Sequence, residues 1–346
     1  TVREDYSAGG DAWNYFTHSQ ARSRAYRWGE DGIAGISDIH QNLCFAIALW
    51  NGKDAILKER LFGLSNGEGN HGEDVKELYY YLDNTPTHSY MKYLYKYPQA
   101  AFPYDELIEE KKERKKTESE FEILDTGIFN DNKYFDVEII YAKNSSEDIC
   151  INIKLTNRGN TSADLMLLPT LWLRNRWLFD NQMQKPLLQK QAALATAGVL
   201  KALDEKLGEY YFYYPVEGEP LMTENETNNE RIYGTTNNSP FVKDAFHDAI
   251  TKNDKELYEK LKNKETGTKF SPVYRLTLAT NETKIISLRL NNNELENPFD
   301  ENFNKIFSDR KAEADEFYKK LFPGKIDEGL ANIQRQAFAG LLWSKQ

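Results

Sequence analysis

The strongest constraint on the fold is a period-two alternation of apolar and polar residues that returns in several separate stretches. Phe135, Val137, Ile139 and Tyr141 alternate with Asp136 and Glu138, and Ile149, Ile151, Ile153 and Leu155 alternate with Asn152, Lys154 and Thr156. Tyr274, Leu276 and Leu278 repeat the pattern before Asn281, and Ile286, Leu288 and Leu290 repeat it after. Successive side chains of a strand point to opposite faces, so such runs give a sheet one buried face and one wet face. Residues 43–50 differ in being apolar throughout, which suits a strand buried on both sides. Asn51-Gly52 then leads into residues 56–64, a pattern that predicts a hairpin. With a turn at Asn157-Arg158-Gly159-Asn160 and a further apolar run over 165–173, the chain reads as mainly β, a large β-sandwich.

Composition narrows the function. Aromatic residues make up 13% of the chain, with 21 Tyr, 18 Phe and 6 Trp, which suits strands and also surfaces that stack on sugar rings. A net charge of −10 would repel a phosphate backbone, so nucleic acid is not the expected partner. Cys44 and Cys150 are too few and too far apart for a disulfide framework or a zinc cluster, and reduced core residues are expected. No run approaches the roughly 20 apolar residues of a membrane span, so the expectation is a soluble, cytoplasmic protein, with export left open. The chain opens at Thr1 without Met and closes at Gln346 inside a helical pattern, so both ends read as cut.

Helices are few at first. Residues 105–116 read as a charged surface helix and residues 241–262 carry apolar residues at helical spacing, while 220–240, rich in Asn, Thr and Glu, reads as an exposed loop. From Asn297 the texture changes. Phe303, Ile306, Phe307, Ala314, Phe317 and Leu321 recur at three- and four-residue steps, Pro323-Gly324 interrupts, and Leu330, Ile333, Ala337, Phe338, Leu341 and Leu342 resume. The expected division is a sandwich over 1–292, a helical linker over 293–324 and a helix over 325–346 whose apolar stripe a closed sandwich leaves with little to pack against.

Several long runs resemble the bacterial branch of glycoside hydrolase family 63, which includes processing α-glucosidases. They include Ser23-Arg-Ala-Tyr-Arg-Trp-Gly-Glu-Asp-Gly32, Leu49-Trp-Asn-Gly-Lys-Asp54, Leu57-Lys-Glu-Arg-Leu-Phe-Gly63 and Gly69-Asn-His-Gly-Glu-Asp-Val-Lys-Glu77. The likeness continues through residues 85–98, Leu168-Pro-Thr-Leu-Trp172 and residues 334–346. The resemblance implies a galactose-mutarotase-like supersandwich, linker helices and the first helix of a truncated (α/α)6 barrel. Inverting hydrolysis needs a carboxylic acid and a carboxylate about 6.5–9.5 Å apart. The resemblance places both in the barrel, beyond Gln346, so no catalytic residue is expected here. No cofactor or metal is expected. The implied partners are an α-glucoside or oligosaccharide substrate and the catalytic barrel of the same protein, with no nucleic acid and no membrane.

The substrate-binding candidates form three groups. Arg27, Trp28, Glu30 and Asp31 combine a stacking ring with charges between glycines, as a loop lipping over a sugar would, although a salt-bridged turn at the sheet edge has the same composition. Asn70, His71, Glu73, Asp74 and Glu77 follow a glycine-rich turn; neighbouring carboxylates can raise one another's pKa towards general-acid use, and an interdomain hydrogen-bond network is the competing reading. Trp343, Lys345 and Gln346 lie on the helix that the resemblance leads into the barrel. Tyr90, Tyr93, Tyr95 and Tyr97 could stack on a sugar or pack against a partner domain. Two other functions stay open, a stand-alone carbohydrate-binding or structural sandwich, and a mutarotase-like epimerase in which His71 and Glu73 would converge.

Overall fold

The computed structural model describes residues 2–3, 15–26, 30, 32–64, 74–115, 117–180, 182–321 and 327–343. In chain order the strands of its two large sheets begin with β1 (Ile33–Ser37), β2 (Leu43–Trp50), β3 (Tyr79–Asn84), β4 (Tyr90–Pro98), β5 (Tyr134–Ser145), β6 (Asp148–Asn157) and β7 (Ala163–Leu173). They continue with β8 (Leu187–Lys190), β9 (Ala197–Asp204), β10 (Gly208–Pro215), β11 (Glu219–Thr223), β12 (Thr266–Gly267), β13 (Lys269–Leu278) and β14 (Thr283–Asn291). Among the described residues, nine strands form an antiparallel sheet in the order β12-β8-β9-β10-β14-β6-β5-β4-β3, and five form another in the order β11-β13-β7-β2-β1.

The alternation read from the sequence is what joins the sheets. Phe135, Val137, Ile139 and Tyr141 of β5, with Ile151, Ile153 and Leu155 of β6, meet Phe45, Ile47 and Leu49 of β2 and Leu165, Leu167 and Leu171 of β7 in one core. This is the mainly β sandwich that the alternation predicts. Tyr93, Tyr95 and Tyr97 lie in the same core, nearly free of solvent, so they face neither a sugar nor a partner domain but the interior of the sandwich itself. Cys44 and Cys150 are buried free thiols.

Helices cover the outer faces. Ala142 and Cys150, on the far side of the nine-stranded sheet, receive Phe303 and Ile306 from a long helix, Glu301–Leu321. The outside of the five-stranded sheet receives the short helices Ala245–Thr251 and Lys255–Asn263, which share a cluster with Ala48, Leu168 and Leu221. The last helix, Glu328–Trp343, lies against β3 at the edge of the nine-stranded sheet.

Three sequence expectations change. The hairpin after β2 shrinks to a single bridge, with Leu49 and Lys58 exchanging backbone hydrogen bonds of 3.0 and 2.9 Å. β7 pairs along the whole of β2 and β1 takes much of its other edge, so no place is left for a full return strand. The single helix of 241–262 is two, separated by Asn253 at φ 52° and restarted by Asp254, whose side chain accepts from Leu257 N–H. The exposed loop of 220–240 is half wrong. β11 pairs with β13 from Glu219 to Thr223, and Glu224, Asn225 and Glu226 are buried as partners of Lys264, Thr268 and Lys185. Polar composition reads as a loop, but polar groups can be buried when each is given a partner.

Candidate functional site

On the outer face of β2 three successive side chains before Trp50 are small: Cys44, Ala46 and Ala48. That leaves depth beneath the larger groups on neighbouring strands, Thr170 and Trp172 of β7 and Lys269 of β13. Gly32 comes so near that a Cβ there would stand 2.5 Å from Cβ of Ala46, so glycine is required for the close approach. Glu30, Glu59, Arg60, Asn225 and Lys243 line the rest of the space, a partly open cavity of about 30 Å³.

The cavity is held by charge. Lys269 Nζ lies 2.6 Å from Glu59 Oε1 and donates to the Lys243 carbonyl at 3.1 Å. Lys243 Nζ pairs with Glu30 Oε1 at 3.0 Å and donates to the Arg24 carbonyl at 2.6 Å. Glu30 Oε1 also accepts from Tyr26 N–H at 2.8 Å. Burial pushes the Lys243 ammonium down to about 8 against the pull of Glu30, and Arg60 and Lys269 push the same way. Burial disfavours the Glu59 carboxylate, but Lys269, together with Lys243 and Arg60, outweighs it and holds its pKa below the ordinary range. A carboxylate kept ionised by an ammonium is a poor proton donor, so Glu59 is not suited to act as a general acid.

A second polar cluster gathers around Glu77, the last member of the group read from Asn70 to Glu77. Glu77 is buried, pairs with Lys58 Nζ at 3.0 Å and accepts from Tyr95 Oη at 2.5 Å and from the Phe62 amide. Burial raises its pKa, with Lys58 opposing. The rise comes from desolvation, not from the neighbouring carboxylate that the sequence reading invoked. Lys58 is fully buried over the rings of Phe102 and Tyr104, at 3.8 and 4.8 Å. Asp54 accepts from Tyr97 and Tyr104. His18 stacks on Tyr104, and burial together with Lys58 and Arg60 lowers it to about 2, so it stays neutral. Asp74 pairs with Lys76 at 2.8 Å, and Lys76 also reaches Glu120 and Glu122.

Of the predicted substrate-binding residues, Glu30 lies at the cavity. Trp343 is 6% exposed. Its indole donates to the Gly35 carbonyl at 3.0 Å and meets the rings of Tyr81, Tyr93 and Tyr141, so the sandwich core takes up the ring. Arg27, Trp28, Asp31, His71, Glu73, Lys345 and Gln346 lie outside the described residues. The sequence reading missed Glu59, Arg60, Asn225, Lys243 and Lys269. The available signal was Lys269 at the head of a buried strand, opposite the small residues of β2. Among the described residues no group of His, Cys, Asp and Glu is placed to hold a metal ion, and no helix is long and apolar enough to cross a membrane.

The whole chain is 41% identical, over 390 aligned positions, to the uncharacterized protein YMR196W of Saccharomyces cerevisiae, and it spans 35% of that protein's length. No family model matches the chain. Among solved structures it is similar to a candidate aldose 1-epimerase of Escherichia coli K12, with TM-score 0.30 and 8% identity over 68% of this chain and 76% of that one. A candidate kojibiose phosphorylase from the human microbiome gives 0.29 and 10%, over 94% of this chain and 37% of that one. With overlaps this slight, the fold description rests on the strand pairing of the chain itself.

Proposed function

We propose that this chain is the amino-terminal, non-catalytic part of an inverting α-glucosidase-type enzyme of glycoside hydrolase family 63. In this reading the sandwich buttresses an (α/α)6 barrel that follows it and carries the acid and base. The segment holding Arg27, Trp28, Glu30 and Asp31 forms one wall of the cleft for an α-glucoside or oligosaccharide. The long runs that resemble the family support the assignment, and so does the span of only 35% of the yeast relative.

The observation that carries the reading is the two-sided character of the last helix. Ala339 and Trp343 are buried on the sandwich side, whereas Leu330 is 51% and Ile333 65% exposed on another face. Exposed apolar residues gathered on one helix face mark an interaction surface, and the continuing polypeptide is the proposed occupant. In a chain extended through the coding sequence after Gln346, the pair Leu330→Asp/Ile333→Asp should lower α-glucoside turnover at least about tenfold, because each buried Leu or Ile contributes roughly 1.5–3 kcal/mol. In the 346-residue chain the same pair should leave the unfolding midpoint unchanged. Unaltered turnover in the extended chain would count against this face as the docking surface.

A further inference from the structure

We infer that the cavity between β2, β7 and β13 is a binding site for one small monovalent anion of about chloride size, held by Lys243, Lys269, Arg60 and the indole N–H of Trp172. This site does not depend on the glycosidase reading.

The charge count comes first. Among the described residues lining the cavity, Lys243, Lys269 and Arg60 are cationic and Glu30 and Glu59 anionic, which leaves one positive charge over. Both carboxylates are already engaged, Glu59 with Lys269 and Glu30 with Lys243 and the Tyr26 amide. Each ammonium has three N–H donors. Two of those on Lys243 go to Glu30 and the Arg24 carbonyl, and two on Lys269 to Glu59 and the Lys243 carbonyl. Among the described residues one donor on each is left without an oxygen partner, and rings flank both ammonium groups, Tyr26 at 5.5 Å from Lys243 and Phe246 at 5.1 Å from Lys269.

Two further donors point to the same ligand class. Trp172 is 5% exposed, and its Nε1–H finds no partner among the described residues. Arg60 Nε is likewise buried without a partner among them. A buried donor left unpaired costs about 1–3 kcal/mol, so two of them beside a net positive charge favour an acceptor that is itself negative. Asn225 Oδ1 is the unpaired acceptor of the site, and it can take the Arg60 or lysine donor that an anion does not use. Size makes the choice. A cavity of about 30 Å³ has room for a small, water-like group, so a halide or the carboxylate of formate fits it more readily than a hexose. The one positive charge in excess among the described lining residues opposes a metal cation.

The test titrates sodium chloride into the 346-residue chain at constant ionic strength, with sodium gluconate as the balancing salt, and follows the thermal unfolding midpoint. The midpoint should rise and saturate with chloride, as for any ligand that binds the folded state alone. Bromide should give an anomalous diffraction peak between Lys243, Lys269 and Trp172. Trp172→Phe removes the donor and should raise the half-saturating chloride concentration about tenfold, as expected for one hydrogen bond to a charged group, a ratio read separately from any packing loss in gluconate alone. Formate acting in place of chloride at lower concentration would assign the site to carboxylates and still uphold it. Equal midpoints in chloride, formate and gluconate, with no bromide peak, would mean a cavity that takes water only, and would overturn the proposal.

Discussion

Lys58→Met is expected to cost about 3–5 kcal/mol at pH 7, because it leaves the Glu77 carboxylate buried without its counter-charge. The two groups are 3.0 Å apart, with Lys58 side chain 0% and Glu77 1% exposed. The pH dependence follows from the direction of the Glu77 shift. Its pKa is already raised in the folded protein, so the folded state holds the proton more tightly than the unfolded one. Stability attributable to this carboxyl is therefore present below its ordinary range near 4.5 and declines as pH rises through the folded value. Loss of Lys58 removes the opposing pull and extends that decline upward. Denaturant unfolding at pH 5 and pH 8 should show the variant's deficit larger at pH 8. Glu77→Gln in the Lys58→Met background should recover most of it, since a neutral pair leaves no charge to solvate while the amide oxygen still accepts from Tyr95. Equal deficits at both pH values would mean that Glu77 is protonated throughout.

Trp343→Ala is expected to release the last helix from the sandwich. The ring fills the space between Tyr81, Tyr93 and Tyr141 and donates to the Gly35 carbonyl. Removing a buried Trp typically costs about 3–5 kcal/mol. A further tie among the described residues is Arg335, which pairs with Asp83 of β3 and with Asp315 at 2.7 Å. It holds the middle of the helix. Amide hydrogen exchange over 336–343 should quicken at least about a hundredfold in the variant, the factor that corresponds to ~2.7 kcal/mol, with β5 and β6 unchanged. Ile333→Ser, 65% exposed on the same helix, should stay within about 0.5 kcal/mol of the parent. If Trp343→Ala leaves exchange in the helix unaltered, the indole does not anchor it.

The sandwich was legible because period-two alternation is a local consequence of strand geometry, and β5, β6, β13 and β14 fall where it was read. The long terminal helices were legible for the same reason at helical spacing. Strand partners were not. Asn51-Gly52 does turn, with Gly52 at φ 77°, but Asn51 Nδ2 donates to the Pro98 and Ala100 carbonyls and so ties the turn to the end of β4 rather than to a returning strand. The cavity escaped the sequence reading because its residues come from seven separate segments, Glu30, Ala46, Glu59, Trp172, Asn225, Lys243 and Lys269. No periodicity links them. Glu59 and Arg60 stood inside a run noted for its resemblance, yet nothing local distinguishes a buried carboxylate from a solvated one until Lys269, 210 positions away, is placed beside it.

The most direct measurement of the central claim is α-glucoside hydrolysis by the chain extended through the coding sequence after Gln346, run beside the 346-residue chain, with the first-formed anomer observed by proton NMR. The account predicts that the extended protein releases β-glucose and that the shorter chain releases none. Release of glucose by the 346-residue chain alone would contradict it, because the acid and base would then lie within these residues.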